Sequence, residues 1–306
     1  MRRARIGLLL LACWPAAARA VEGAAWLKIP QGARSVALGT AVTALPGSAE
    51  AMWYTPAALA GLKSADLSVS RQAWLGQTRD DYLGAALPLG SGGLGVYGSL
   101  LGSEDIYRDA QGLEGGTFSD SAWTAGLAYG VQLGPLGIGL AAKSIHEQIE
   151  RSQSSGWAGD AGAQLQLGAP WARFGFSVQN MGQFNGDQSL GVVRLPLAYR
   201  LGLALDHAIP GVTLSVESLQ YQASRESTLM GGIEGAFQLG IIGVALRGGY
   251  QNAVEEAGGM AGLALGAGLR MENLSFDLAY TPYGALGDPY RMTLGWDFGG
   301  GSAGKR

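Results

Sequence analysis

The chain has 306 residues, of which 47% are hydrophobic and only 15% are charged, and its formal net charge is −3 at pH 7. An acidic balance disfavours nucleic acid as a partner, because binding to phosphates requires a basic surface. Most soluble domains carry a larger charged fraction. Beyond the first twenty residues, no apolar run reaches the roughly 18 residues that a membrane-spanning helix needs. The composition therefore disfavours a helical membrane protein as well.

Residues 1–20 have the three parts of a secretory signal peptide. Arginines open the chain, a short apolar run follows at residues 6–14, and residues 18–20 read Ala-Arg-Ala, a small-residue cleavage site. We expect Sec export and cleavage after Ala20, which lowers the 21 basic residues to 17 against 24 acidic ones and moves the charge from −3 to −7. The single cysteine, Cys13, lies in this leader, and lipoprotein-type processing at Cys13 is the alternative.

Residues 21–63 predict a compact segment ahead of the first strand. Between residues 30 and 62, small residues dominate and hydrophobicity does not alternate. An aromatic pair and a proline, which fixes the backbone, follow. A compact small-residue segment ahead of a barrel can fold inside it as a plug, which we call the hatch. Its motif residues are Gly32, Ala33, Arg34, Gly39, Trp53, Tyr54, Pro56 and Ala57.

Residues 64–298 alternate apolar and polar positions in segments of about ten residues, the length that a tilted strand needs to cross hydrocarbon. In the last segment, Tyr290, Met292 and Leu294 share one side, and Arg291 and Thr293 share the other. Many of the 51 glycines fall in these segments, as a curved sheet requires. We predict about fourteen strands. They lie near residues 64–75, 80–89, 92–101, 121–133, 136–147, 156–168, 171–181, 196–206, 211–222, 227–239, 241–251, 258–270, 273–283 and 289–298.

The connections between these segments alternate in length. Tight turns lie near residues 90–93, 134–135, 169–170, 209–211, 240 and 272–273. Longer polar loops lie at residues 102–120, 148–155, 182–195, 223–226, 252–257 and 284–288. This alternation is typical of an outer-membrane barrel, with the short turns and both termini on the periplasmic side. The sequence thus predicts an all-β fold, a transmembrane antiparallel β-barrel in contact with outer-membrane lipid of the cell outer membrane, with residues 299–306 as a periplasmic tail.

The two faces of the strands agree with this orientation. Aromatic side chains at strand ends predict two interfacial girdles. They are Trp123, Trp157, Tyr221, Tyr250 and Tyr290 at the outer ends, and Trp171, Trp296 and Phe298 at the inner ends. Charged residues share the inward phase, where they either pair across strands or contact a substrate. These lumen-lining residues are Lys143, Asp160, Arg173, Arg200, Glu217, Glu234, Arg247, Arg270, Asp277, Arg291 and Asp297. We also expect a β-bulge near Glu217 and Ser218, where the phase slips.

The hatch motif carries a family resemblance. In order and spacing, residues 32–59 resemble the N-terminal pattern of the PorV/PorQ family and, more distantly, of the FadL family of hydrophobic-compound transporters. Thr55 stands where these families usually carry asparagine. The resemblance implies a fourteen-stranded barrel with a hatch, whose aromatic-ended final strand engages the barrel-assembly machinery. A PorV/PorQ-like protein would support protein export or retention together with secretion-system components, which is the function we expect first. The alternative is FadL-like passive transport of hydrophobic small molecules.

Motifs for catalysis are weak in this sequence. The glycine pattern at residues 90–95 fits a dinucleotide fingerprint but joins two strands rather than a strand and a helix. The two histidines, His146 and His207, lie far apart and form no zinc motif. We therefore predict no cofactor, no metal site and no enzymatic activity. A third hypothesis is a lipid hydrolase, because Ser144 and His146 lie two apart on one lipid-facing strand, as a nucleophile and its base would.

Overall fold

The structure, a computed structural model, describes residues 21–73, 78–108, 114–150, 152–185, 193–223, 227–252, 260–283 and 287–299. The predicted signal peptide lies outside the described residues, as do residues 300–306 of the predicted tail and parts of the predicted loops. Among the helices in the described ranges, none has the length and apolar character needed to cross a bilayer.

The barrel strands in the described ranges number fourteen, and they form one closed antiparallel barrel, which confirms the predicted fold class. They are β2 Asp66–Ala73, β3 Arg79–Leu89, β4 Gly92–Arg108, β5 Glu114–Leu133, β6 Leu136–Ile149, β7 Ser152–Gln166, β8 Ala172–Asn185, β10 Ala198–Ile209, β11 Val212–Tyr221, β12 Ser227–Leu239, β13 Ile242–Gln251, β14 Leu263–Met271, β15 Leu274–Tyr280 and β16 Tyr290–Asp297. The last strand, β16, pairs with β2 and closes the ring. Closure leaves no edge strand with unpaired backbone groups.

The hatch, residues 21–63, runs inside this barrel. Its helix α1, Ala33–Ala37, packs against β13 to β16. A 3-10 turn at Pro56–Gly61 packs against β4 to β7 near the short turns. Further 3-10 turns lie at Ala25–Lys28 and Ala51–Trp53. At its beginning, the short strand β1 (Val21–Glu22) pairs in parallel with β9 (Val193–Arg194), between β8 and β10.

The long connections differ from the sequence prediction most at two places, and the loop predicted at residues 182–195 is also shorter because β8 continues to Asn185. Residues 102–120 were expected to form a loop, but β4 continues to Arg108 and β5 begins at Glu114. Residues 148–155 are also mostly strand, because β6 ends at Ile149 and β7 begins at Ser152. In both places a two-stranded ribbon extends beyond the apolar band. Backbone pairing needs no apolar face there, so hydrophobic alternation does not reveal it.

The predicted bulge near Glu217 and Ser218 is wrong. The ladders from β11 to β10 and to β12 continue without a shift through both residues. The apparent slip arises because Leu219 is apolar yet faces the lumen, where it packs in a cluster with Ala41 of the hatch. Register shifts lie instead between Tyr107 and Arg108, between Gly159 and Ala161, and between Asp206 and Ile209.

The outward face of the barrel is apolar along its length. Leu140 is 68% exposed and Leu246 is 57% exposed, values that suit acyl chains rather than water. Exposed aromatic side chains lie at the outer strand ends, namely Trp123, Trp157, Tyr250 and Tyr290. Others lie at the inner ends, namely Trp171, Trp296 and Phe298. The sequence predicted that Tyr221 belongs to the outer girdle, and this is wrong. Tyr221 faces the lumen, where Lys28 Nζ lies 4.6 Å from its ring centre.

Candidate functional site

Close backbone contact explains why the hatch and the wall are rich in small residues. A Cβ atom at Gly249 would lie 2.1 Å from the Gly39 nitrogen, and one at Gly139 would lie 2.3 Å from the Pro56 carbonyl carbon. Gly39 itself has φ +62°, a left-handed conformation that glycine adopts without strain. The glycines therefore let the hatch backbone touch the inner wall directly.

The aromatic pair of the motif anchors the centre of the hatch. Trp53 makes edge-on contacts with Tyr82 and Tyr97 of the wall, with both ring centroids 6.2 Å away. The Tyr54 hydroxyl donates to the Gln31 carbonyl at 2.7 Å and accepts from the Gln31 amide at 3.0 Å. These contacts fix the position of the aromatic pair against both the wall and the rest of the hatch.

Thr55, Pro56 and Ala57 start the last 3-10 turn of the hatch. Thr55 is the N-cap, and its hydroxyl accepts from the Ala57 amide at 3.3 Å. Pro56 occupies the first position, where its missing N–H costs nothing. Thr55 therefore supplies a capping oxygen at the start of this turn.

A four-residue charge cluster joins α1 to the wall. Arg34 donates to Glu234 through Nε at 2.9 Å and Nη2 at 2.8 Å. Arg247 bridges Glu234 and Asp277, each at 2.6 Å. The Glu234 carboxylate holds the pKa of Arg34 above its usual value. The cluster shows that inward charged residues of three strands bind one another, and that Glu234 also binds the hatch through Arg34.

Glu217 and Arg200 form a second cluster. Arg200 Nε donates to Glu217 at 2.5 Å and Arg200 Nη2 donates to the Thr40 carbonyl at 2.8 Å. Glu217 also accepts from the amide and the hydroxyl of Thr43 at 2.8 and 2.9 Å. Arg200 and Glu217 thus pair with each other, and the hatch residues Thr40 and Thr43 hydrogen-bond to the pair.

Lys143 and Asp160 form a third, fully buried pair, with Nζ 2.8 Å from the carboxylate. The second oxygen of Asp160 accepts from the Asn180 amide at 2.7 Å. Asn180 has φ +64°, and this contact accompanies the register shift at Asp160. The pair therefore stabilises an irregular point of the wall.

Asp80 and Arg291 form a fourth pair, 3.5 Å apart, at the start of α1. Arg291 donates to the Pro30 carbonyl, and Asp80 accepts from Gln31 at 2.8 Å and Ser99 at 2.9 Å. Close by, the Ala33 amide donates to Thr293 at 2.7 Å.

All eleven predicted lumen residues lie in the described ranges, and eight of them belong to the four clusters above. The other three lie on inward phases near the inner rim. Arg173 and Asp297 are half-buried, and Arg270 is exposed.

Several hatch contacts come from residues that the sequence reasoning missed. Gln164 Nε2 donates to the carbonyls of Thr43 and Leu45, each at 2.8 Å, and Gln179 donates to the Trp53 carbonyl at 2.6 Å. Glu50 is buried within the hatch and accepts from the Ser35 amide at 2.8 Å and from the Ser35 hydroxyl. The sequence feature that could have indicated these contacts is a glutamine or glutamate inside an otherwise small or apolar stretch.

A cavity of about 340 Å³ lies between the hatch and the outer half of the wall. Aromatic residues Trp53, Tyr54, Tyr221 and Tyr283 line it. Its apolar residues include Leu27, Ile29, Ala198 and Leu219, and its basic residues are Lys28, Lys143 and Arg200. No acidic side chain lines it among the described residues. The lining suits a small apolar or aromatic molecule, with or without a negative charge.

Ser144 and His146 lie together on the lipid-facing side. Ser144 Oγ is 3.0 Å from His146 Nε2, and the imidazole stacks on Trp123 with ring centroids 4.1 Å apart. Within the described ranges, no carboxylate hydrogen-bonds the other ring nitrogen. A nucleophile and a base are therefore adjacent without the group that would orient the base. No cluster of three or more metal-ligating residues lies within the described ranges.

The closed antiparallel strands, the apolar outer band and the internal hatch define an outer-membrane β-barrel. The structure is similar to that of "TodX monoaromatic hydrocarbon channel deltaS2 mutant", with a TM-score of 0.60 and 9% identity over 88% of this chain and 98% of that one. At this identity the likeness concerns the fold alone.

Two further solved structures are more distant. The outer membrane protein Omp33 of Acinetobacter baumannii gives a TM-score of 0.43 and 8% identity over 77% of this chain and 98% of that chain. KdgM porin gives a TM-score of 0.36 and 12% identity over 76% of this chain and 99% of that chain. No protein-family model and no curated protein matches the sequence. The PorV/PorQ resemblance therefore stays a prediction.

Proposed function

We propose that this barrel passively transports hydrophobic small molecules across the outer membrane. The observation that carries the proposal is the cavity between the hatch and the outer half of the wall, lined by four aromatic residues. The TodX structure that shares the fold is described as a monoaromatic hydrocarbon channel. A barrel of this kind offers a route across the outer membrane for molecules that the cavity can hold.

The charge of the cavity predicts which molecules would enter. The cations that line it already pair with Glu22, Asp160 and Glu217, all outside the lining. They therefore impose no requirement for an anionic ligand. They do oppose a cationic one, because no lining carboxylate would balance its charge after desolvation. We expect aromatic hydrocarbons and hydrophobic carboxylates to pass, and alkylammonium ions of the same size to be rejected.

Passage to the periplasm requires the hatch to rearrange. The turn at Pro56–Gly61 packs against β4 to β7 near the short turns, so it lies on the periplasmic side of the cavity. The helices of the hatch are all short, and the longest of them, the 3-10 turn at Pro56–Gly61, has six residues. Hydrogen bonds from wall side chains hold it in place, and such contacts can open locally without unfolding the barrel.

Uptake by cells that express the protein tests this proposal. The change is Thr228→Trp, which places a bulky ring in the cavity that Thr228 lines. We expect uptake of a monoaromatic hydrocarbon to fall about tenfold, equivalent to about 1.4 kcal/mol. The control is Leu229→Trp, on the next residue of β12, which is 59% exposed on the opposite face. Equal uptake by both variants, or equal uptake of a hydrocarbon and an alkylammonium ion, would reject the cavity as the route.

A further inference from the structure

Three charged residues lie on the lipid-facing side of β2 and β3. Arg71 and Asp81 are direct ladder partners, and Arg71 Nε is 2.7 Å from the Asp81 carboxylate. Arg79 Nε contacts the other carboxylate oxygen at 2.9 Å. The two arginine side chains are 66% and 58% exposed. Charges on the lipid face of a barrel are costly near the midplane and tolerated only toward the interfaces.

The depth of these charges in the membrane follows from the strand register. Tyr290 of the outer aromatic girdle pairs with Ala73, and Ala73 pairs with Arg79. Arg79 therefore lies at girdle depth. Arg71 precedes Ala73 by two residues on β2, which places it about 7 Å along the tilted strand and about 5 Å closer to the membrane centre. Long arginine side chains extend back toward the interface, so both guanidinium groups reach the headgroup region of the outer leaflet.

An apolar groove begins directly below these charges. Gly98 has no side chain and forms the floor, while Val69, Leu83 and Leu100 border it on the lipid side. The same groove, of about 480 Å³, ends at Arg71 and Asp81. A charged end at headgroup depth and an apolar trough below it match the two parts of a lipid.

We propose that this groove binds a phosphate-bearing acylated lipid of the outer leaflet. Among the side chains that the structure describes, two guanidinium groups face one carboxylate, so one positive charge in this group is left for an anion. Each guanidinium also carries more N–H donors than a single carboxylate oxygen uses, and its planar fork suits phosphate. One acyl chain lies over Gly98, where its contact with the bordering side chains replaces looser lipid packing.

An ion pair that only stabilises the wall would explain one of the two arginines beside Asp81 but not the second. Neutralising Asp81 takes one arginine, so within the described part of this surface the second exposed arginine at the lipid boundary adds unbalanced charge. The anionic lipid supplies that balance at the depth where the arginines lie. This site lies on the outer wall and is independent of the cavity proposed for transport.

Binding of defined lipids to the purified protein in detergent tests the proposal by native mass spectrometry. The probes are diphosphoryl lipid A and the same lipid without phosphates. The change is the pair Arg71→Gln and Arg79→Gln, with Lys63→Gln, an exposed charge near the inner end, as the control. We expect the double variant to bind diphosphoryl lipid A about tenfold more weakly, equivalent to about 1.4 kcal/mol. The control variant binds it as the unchanged protein does.

A second pair of variants tests the groove itself. Gly98→Leu fills the trough, whereas Gly235→Leu adds the same side chain on β12, where a new Cβ meets nothing within 4 Å. We expect only the first to lose the phosphorylated lipid, with heat-modifiable migration showing that both barrels are folded. Binding at the unchanged level by the arginine variant or by Gly98→Leu would overturn the proposal, and so would equal affinity for the lipid without phosphates.

Discussion

The Glu217 carboxylate accepts the backbone N–H of Thr43 at 2.8 Å and so joins β11 to the hatch. The same carboxylate pairs with Arg200 on the neighbouring strand. The sequence left open whether the inward charges pair with one another or contact a substrate. In this cluster the charges pair across strands and hold the hatch, and the Arg34 and Glu234 cluster does the same. The same carboxylates, Glu217 and Glu234, therefore both pair with arginines of neighbouring strands and bind the hatch.

Replacing Glu217 by leucine should destabilise the protein. It leaves the buried Arg200 guanidinium unpaired and the Thr43 amide without its acceptor, a loss of about 3–5 kcal/mol for a broken buried pair. Denaturant unfolding in detergent micelles, followed by circular dichroism, measures it. The matched control is Glu22→Gln, whose pair with Lys28 is partly exposed and should cost less than about 1 kcal/mol.

A double variant separates the two causes of that loss. Adding Arg200→Met to Glu217→Leu removes the unpaired charge but still leaves the Thr43 amide without a partner. We expect part of the stability to return. A double variant as unstable as the two single losses combined would show that the pair does not act as a unit.

Removing the Ser144 hydroxyl should leave lipid hydrolysis at the background level. Ser144 contacts His146, but within the described ranges no carboxylate orients that imidazole. The hydrogen bond then serves to satisfy two polar groups beside Trp123 in the lipid-facing wall. Release of fatty acid from phospholipid vesicles by the unchanged protein and by Ser144→Ala measures this. Hydrolysis that is present in the first and absent in the second would establish the lipid hydrolase instead.

The sequence predicted the barrel well because lipid on one side and a lumen on the other impose a period of two on every strand. It predicted the lumen contacts less well. Leu219 faces inward because it packs in a cluster with Ala41, and nothing in the pattern of β11 records what lies across the lumen. Gln164 and Gln179 bind hatch carbonyls, yet an uncharged side chain carries little signal by itself. Contacts between distant segments depend on three-dimensional proximity that periodicity does not contain.

Glu50 should make the hatch more stable near pH 4.5 than at neutral pH. Burial raises the pKa of Glu50 above its usual value of 4.5. The folded hatch then binds the proton more tightly than the unfolded chain, so its stability falls as the pH rises from about 4.5 through the raised value. Hydrogen exchange of residues 24–62, corrected for its intrinsic pH dependence, measures this. Glu50→Gln keeps an acceptor for Ser35 and should remove the dependence. An unchanged pH profile in that variant would assign it to another group.

Locking the hatch to the wall should block transport if passage requires the hatch to move. A Cβ atom at Gly202 would lie 3.5 Å from the Ala44 Cβ, a separation that a disulfide accepts. We expect the oxidised Ala44→Cys, Gly202→Cys double variant to lose uptake of a monoaromatic hydrocarbon and a reducing agent to restore it. Each single cysteine variant, oxidised in the same way, controls for the substitutions themselves. Full uptake by the oxidised double variant would show that molecules pass the hatch without displacing this contact, because the bond joins Ala44 of the hatch directly to β10.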